Sequence, residues 1–123
     1  MSTQASILIV EDEYLIAAAA EAALEAAGYR VAVAGNGRDA LDWLADQVPD
    51  AIVTDYMMPR LDGGQLVAAI RADARLAAVP VILMTATPVD TIRAKRLDIQ
   101  MLLSKPVTEP ALLLAVATVL DGT

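Results

Sequence analysis

The chain has 123 residues, 57% of them hydrophobic, and a formal net charge of −7 from nine basic and sixteen acidic side chains. It contains no cysteine and no histidine, which excludes disulfides, thiolate chemistry, zinc sites of the usual kind and a phosphohistidine on this chain. An acidic chain repels nucleic-acid backbones and anionic lipids, so neither is an expected partner.

The N-terminal segment, Met1 to Ser6, is polar and lacks the pattern of a secretory signal. No apolar run approaches spanning length, which predicts a soluble, cytoplasmic protein. Ile7-Leu8-Ile9-Val10 is a continuous apolar run that ends in Glu11-Asp12-Glu13, as strands buried on both faces do. Tyr14 to Ala27 predicts a first helix, with Gly28 as its C-cap. Core packing is expected for at least one of Leu15 and Ile16. Arg30 to Ala34 predicts the second strand. Asn36-Gly37-Arg38-Asp39 opens a second helix that Pro49 ends, with Trp43 as a half-buried anchor.

Ala51 to Asp55 predicts the third strand. Asp62-Gly63-Gly64-Gln65 has capping-box spacing and starts a third helix with Leu66, Val67 and Ile70 on its apolar face. Val81 to Thr85 predicts the fourth strand. Thr87-Pro88-Val89-Asp90 caps a short fourth helix ending near Leu97, with Pro88 at its first position. Met101 to Ser104 predicts the fifth strand and Thr108 to Leu120 the last helix. That helix is so uniformly apolar from Pro110 to Leu120 that its surface beyond the core suggests a partner or a homodimer; good helix-forming composition alone explains it equally well.

Five strands alternating with five helices predict an α/β fold, a doubly wound parallel sheet, in one domain over 1–123. Sites in such sheets lie beyond the carboxyl ends of the strands. There stand Glu11 and Asp12, Asp55, Thr85, and Ser104-Lys105-Pro106. Three close carboxylates call for a hard divalent cation, and Mg²⁺ is the expected cofactor. A carboxylate so neutralised is a nucleophile toward phosphorus, with Lys105 offsetting charge on the phosphoryl oxygens and Thr85 donating a hydrogen bond.

These residues, with Asp55-Tyr56-Met57-Met58-Pro59, Asp62-Gly63, Thr85-Ala86 and Lys105-Pro106, resemble the receiver domain of two-component response regulators over nearly the whole chain. The resemblance implies a flavodoxin-like fold of the chemotaxis-regulator type with strand order 2-1-3-4-5. It implies that Asp55 is the phosphoacceptor, and that Glu11, Asp12, Asp55 and the Met57 main-chain carbonyl hold Mg²⁺. It further implies that Lys105 contacts the phosphoryl group, that Thr85 is the switch hydroxyl and that the Lys105–Pro106 bond is cis. The partners implied are a histidine kinase or histidine phosphotransfer protein, docking near the start of the first helix, and a downstream protein target. The chain would be a switch rather than an enzyme. Apolar Met57, which cannot position a water, favours a longer-lived phosphoaspartate.

The sequence departs from that pattern at two places. Leu102 stands where many receivers carry Tyr or Phe, and the stretch 93–100 lacks the Gly-Ala turn common before the fifth strand, so an unusual output face is expected. Other readings fit less well. A flavodoxin would need a Ser/Thr/Gly-rich phosphate loop where Glu11-Asp12-Glu13 stands. A haloacid-dehalogenase phosphatase would need Asp-x-Asp after the first strand. A receiver-like interaction module that is never phosphorylated is the remaining alternative, kept open by Leu102.

Overall fold

The computed structural model describes residues 4–121; the first three and last two residues of the expected 1–123 domain lie outside the described residues. The elements in chain order are β1 (Ser6–Val10), α1 (Tyr14–Ala26), β2 (Arg30–Ala34), α2 (Gly37–Leu44), β3 (Ala51–Asp55), α3 (Gly63–Ala72), β4 (Val81–Thr85), α4 (Val89–Arg93), β5 (Met101–Ser104) and α5 (Glu109–Leu120). The strands form one parallel sheet in the order β2-β1-β3-β4-β5, as expected.

The continuous apolar strands are explained by two cores. Leu8 and Val10 of β1 face one side of the sheet with Ile52 and Val81, against Ala40 and Leu44 of α2 and Leu66, Val67 and Ile70 of α3. Ile7 and Ile9 face the other side with Val53, Ile82 and Met84, against Leu24 of α1 and Leu112, Ala115 and Val116 of α5. A strand whose side chains alternate between two buried faces has no polar face left to show. Each such Ile or Leu, fully buried, contributes about 1.5–3 kcal/mol relative to exposure.

Several helix ends differ from the sequence expectation. α1 stops at Ala26 with Ala27 as its cap, and Gly28 follows at φ 100°. There the Gly28 N–H donates to Glu25 O and the Tyr29 N–H to Leu24 O, closing the helix through a left-handed residue that favours glycine. α2 ends at Leu44, well short of Pro49. Its terminal carbonyl, Leu44 O, accepts a 2.7 Å hydrogen bond from Arg75 Nη2, a cation at a helix C-terminus supplied from 31 residues away. In α4, Pro88 is the N-cap rather than the first helical residue, and the helix spans five residues. α5 starts at Glu109, and Thr108 caps it by accepting from the Ala111 N–H. The core absorbs most of α5: Leu112 and Val116 are buried and Leu113, Val119 and Leu120 pack at the edge, which leaves Leu114 as its large exposed apolar side chain.

The stretch without a Gly-Ala turn is held by Arg71 at the end of α3. Its guanidinium donates to Val79 O (2.7 Å), Ala77 O (3.0 Å), Asp98 O (3.1 Å) and Gln100 Oε1 (2.8 Å), and the last also accepts from the Val81 N–H. Hydrogen bonds to a charged group are the stronger kind. Arg71→Ala is expected to destabilise the protein by about 2–3 kcal/mol and to speed amide exchange at Val81, read by urea unfolding and hydrogen exchange. An unchanged midpoint would mean the clamp is dispensable.

Candidate metal centre

The strand order reverses direction between β1 and β3, and the carboxyl ends of these two strands carry the acidic residues. Glu11 directly follows β1, fixed by its N–H to Ala34 O at 3.1 Å, and is 2% exposed. Asp12 comes next and is exposed. Asp55 is the last residue of β3 and is 5% exposed. One oxygen from each of the three lies within 4.8 Å of the others. Lys105 Nζ sits 3.1 Å from Glu11 Oε1 and 3.0 Å from Asp55 Oδ2.

The electrostatics of the cluster follow from these distances. Burial pushes the Glu11 carboxyl above its ordinary pKa. The Asp55 charge adds to this, while the Glu13 N–H and Lys105 oppose it. Burial alone would lower the Lys105 pKa, but its hydrogen bonds to Asp55 and Glu11 outweigh burial and raise it, so the ammonium is charged throughout the physiological range. With all three carboxylates ionised, one ammonium leaves a formal charge of −2 among oxygen donors. A hard divalent cation fits that donor set and that charge, and Mg²⁺ is the common one between carboxylates and phosphate.

The supports of the site come from neighbouring strands. The β3–β4 register pairs Asp55 with Met84, so Thr85 stands one residue further along the adjacent strand, buried. Its Oγ1 accepts from the Thr87 N–H at 2.9 Å, which leaves the hydroxyl proton free to be donated elsewhere. Thr85 O accepts from the Lys105 N–H at 2.8 Å and so ties down the loop that carries the ammonium. The Lys105–Pro106 bond is cis. Met57, two residues past Asp55, is 63% exposed. The sequence expectation that Leu15 or Ile16 packs in the core does not hold: they are 80% and 40% exposed at the start of α1, beside Tyr14 at 81%. Both line an apolar groove of about 350 Å³ between α1 and the β5–α5 loop, with Glu11 and Lys105 at its edge.

Gly63 is the residue whose role local reading missed. A Cβ there would meet Asp55 O at 2.7 Å, Tyr56 Cα at 2.8 Å and Leu83 Cδ1 at 2.9 Å, and the Gly63 N–H donates to Tyr56 O at 2.8 Å. The start of α3 therefore presses on the backbone of the acidic strand end. The signal was in the sequence as the Gly after Asp62, where capping accounts only for Asp62 and Gln65. Gly63→Ala must move backbone rather than a flexible side-chain end. It is expected to cost about 3 kcal/mol, read as a lower thermal midpoint; a midpoint unchanged within error would contradict the close approach.

The response regulator receiver domain matches residues 7–117. The chain is similar to response regulator Rre1 of Synechocystis sp., 35% identical over 109 residues, covering 86% of this chain and 47% of Rre1. It is similar to protein PilH of Pseudomonas aeruginosa, 36% identical, covering 96% of this chain and 99% of PilH. The receiver domain of the sensor histidine kinase PA1611 from Pseudomonas aeruginosa, solved with magnesium in its active-site cleft, superposes with a TM-score of 0.86 at 31% identity, covering 98% of this chain and 100% of that one. The chain spans between 33% and 47% of the length of three of the curated relatives it matches.

Proposed function

The chain belongs to the response regulator receiver family of two-component signalling, and on that premise we propose that Asp55 accepts a phosphoryl group from a phosphohistidine donor. The observation that carries this reading is the cluster of Glu11, Asp12 and Asp55 at the ends of β1 and β3, with Lys105 bridging the two buried members. An Asp55 carboxylate oxygen attacks phosphorus, the phosphorus–nitrogen bond of the donor breaks, and the imidazole leaves with the electron pair. Glu11, Asp12, Asp55 and the Met57 carbonyl would hold Mg²⁺. The cation, when bound, neutralises the carboxylates and offsets charge on the phosphoryl oxygens. Lys105 keeps its charge beside Asp55 and is placed to take over part of that task as the acyl phosphate forms. Thr85 supplies a hydroxyl proton to the same group and reports the phosphorylated state to its surroundings.

The apolar groove at the start of α1, with Tyr14, Leu15 and Ile16 exposed along it, supports docking of the histidine-bearing partner there, next to Lys105. The chain acts on this reading as a single receiver and a cytoplasmic signalling switch. It catalyses its own phosphoryl transfer and slow self-dephosphorylation, and it passes its state on by protein contacts to a downstream target. No helix among the described residues is long and apolar enough to cross a membrane. Leu102, half-buried on β5, replaces the aromatic ring on which the usual relay from threonine depends, so the output step proceeds without a ring swing.

Incubation with acetyl phosphate tests the reading by intact mass. A gain of one phosphoryl mass with Mg²⁺ and none with chelator present is the expected result. No gain in a folded sample would sink the phosphoacceptor reading and leave a receiver-shaped interaction module.

A further inference from the structure

Among the described residues four polar or charged side chains are buried: Glu11, Asp55, Thr85 and Thr54. The first three belong to the acidic centre and its supports. Thr54 stands one residue before the nucleophile with 0% exposure, and the chemistry above makes no use of it. By strand alternation it shares the face of the sheet that Ile52 turns toward α3. Packing alone would accept a valine there, which has the same branched shape and no polar atom to bury.

The hydroxyl has a specific partner. Thr54 Oγ1 donates to the Asp55 main-chain oxygen at 3.0 Å. That oxygen stands where the ladder runs out. The Ile52 and Tyr56 N–H groups donate to Pro80 O and Met84 O, on the β4 side, so in alternation the Asp55 carbonyl points toward β1. The β1–β3 register ends at Val10 and Thr54, and the N–H of the following Glu11 turns away to Ala34 O on β2. A buried carbonyl without a ladder partner needs another donor, and Thr54 supplies it.

The peptide after Asp55 is held from other sides as well. The Tyr56 N–H donates to Met84 O at 2.8 Å, and Tyr56 O accepts from the Gly63 N–H at 2.8 Å. Gly63 lies so close that a Cβ on it would stand 2.7 Å from Asp55 O. This peptide connects the Asp55 carboxylate to the Met57 carbonyl, two of the groups assigned above to Mg²⁺. Its rotation would change their separation, and functional constellations tolerate only about 0.5 Å.

We infer that Thr54 is a positioning residue for phosphoryl acceptance: by holding the Asp55 main-chain oxygen, its hydroxyl locks the peptide that sets the Asp55 carboxylate against the Met57 carbonyl. Thr54 acts through Asp55 and touches neither phosphorus nor cation. The inference rests on the phosphoacceptor reading and adds to it a residue from within the core.

The test compares Thr54→Val and Thr54→Ser with the parent chain. Valine keeps the branched shape and removes the donor; serine keeps the donor and removes a methyl group. The readouts are Mg²⁺ affinity by titration calorimetry and the rate of phosphoryl uptake from acetyl phosphate at saturating Mg²⁺, followed by intact mass. Each is expected to fall about tenfold in Thr54→Val, the worth of one hydrogen bond, and to stay within about twofold of the parent in Thr54→Ser. Serine leaves a methyl-sized gap in the core and lowers the thermal midpoint, so full function at a lowered midpoint separates positioning from packing. Should valine prevent folding, Thr54→Ser and Thr54→Ala form a second pair that differs in the hydroxyl alone, with the loss expected in alanine. Parent values in Thr54→Val, or an equal loss in valine and serine, would overturn the proposal. A parent chain that takes up no phosphoryl group fails the phosphoacceptor reading instead, and the Mg²⁺ affinities of the same variants still decide whether Thr54 orders the cation's ligands.

Discussion

Asp55→Asn is expected to take up no phosphoryl group from acetyl phosphate, and in the absence of Mg²⁺ to be at least as stable as the parent chain. The two outcomes have one cause. Asp55 is buried within 4.8 Å of two other carboxylates, and among the described residues one ammonium offsets three negative charges. An amide of the same shape removes one charge from a like-charge cluster, at the loss of one partner for Lys105, which keeps Glu11 at 3.1 Å. Relief of repulsion and loss of the ion pair oppose each other. Because the cluster is over-charged, relief wins, by on the order of 1 kcal/mol. The nucleophile, however, is gone, since a neutral amide oxygen does not form an acyl phosphate. Mg²⁺ should then raise the melting temperature of the parent chain more than that of the variant, because a ligand stabilises the state it binds in proportion to its affinity. Calorimetry with and without Mg²⁺ and intact mass after acetyl phosphate read the two halves. A mass gain in the variant would move the acceptor elsewhere. A marked loss of apo stability would show that the Lys105–Asp55 pair outweighs the repulsion.

The sheet was legible from the sequence because its central strands β1, β3 and β4 are buried between helices on both faces, and such strands announce themselves as apolar runs, while the half-exposed edge strands β2 and β5 are short apolar stretches between helical ones. The β2, β3, β4 and β5 boundaries coincide with those runs, and β1 is longer by Ser6. The site was legible for a related reason: a charged residue that closes or directly follows an apolar strand in a parallel sheet, as Asp55 and Glu11 do, stands at its carboxyl edge. Helix ends were less legible because distant residues set several of them. Nothing near Leu44 tells that Arg75 will cap it, and the sequence around Pro49 points to a later end. Leu15 and Ile16 look like core residues by composition, yet they are exposed because α1 begins beyond the sheet edge, beside the groove. The tightness of Gly63 against Asp55 O depends on how α3 approaches β3, a three-dimensional fact that a capping pattern does not contain.

Lys105→Met separates the metal's role from that of the ammonium. Methionine keeps most of the aliphatic stem and removes the charge. Without Lys105, Glu11 and Asp55 lose the cation that bridges them at 3.1 and 3.0 Å, and the cluster's formal charge goes from −2 to −3. In the absence of Mg²⁺ the protein is expected to lose about 2 kcal/mol, below the 3–5 kcal/mol typical of breaking a fully buried pair because the Lys105 side chain is 19% exposed. Mg²⁺ should bind more tightly to the variant than to the parent, since a competing positive charge has left its site. Phosphoryl uptake should nevertheless slow by about 100-fold, the usual cost of removing one aimed electrostatic group from a transition state. Titration calorimetry gives the first quantity and time-resolved intact mass the second. Tighter metal binding with slower transfer assigns Lys105 to the phosphoryl group rather than to the cation. Unchanged transfer would reduce Lys105 to a structural counter-ion for Glu11, and weakened Mg²⁺ binding would mean that the ammonium holds the carboxylates in the arrangement the cation needs.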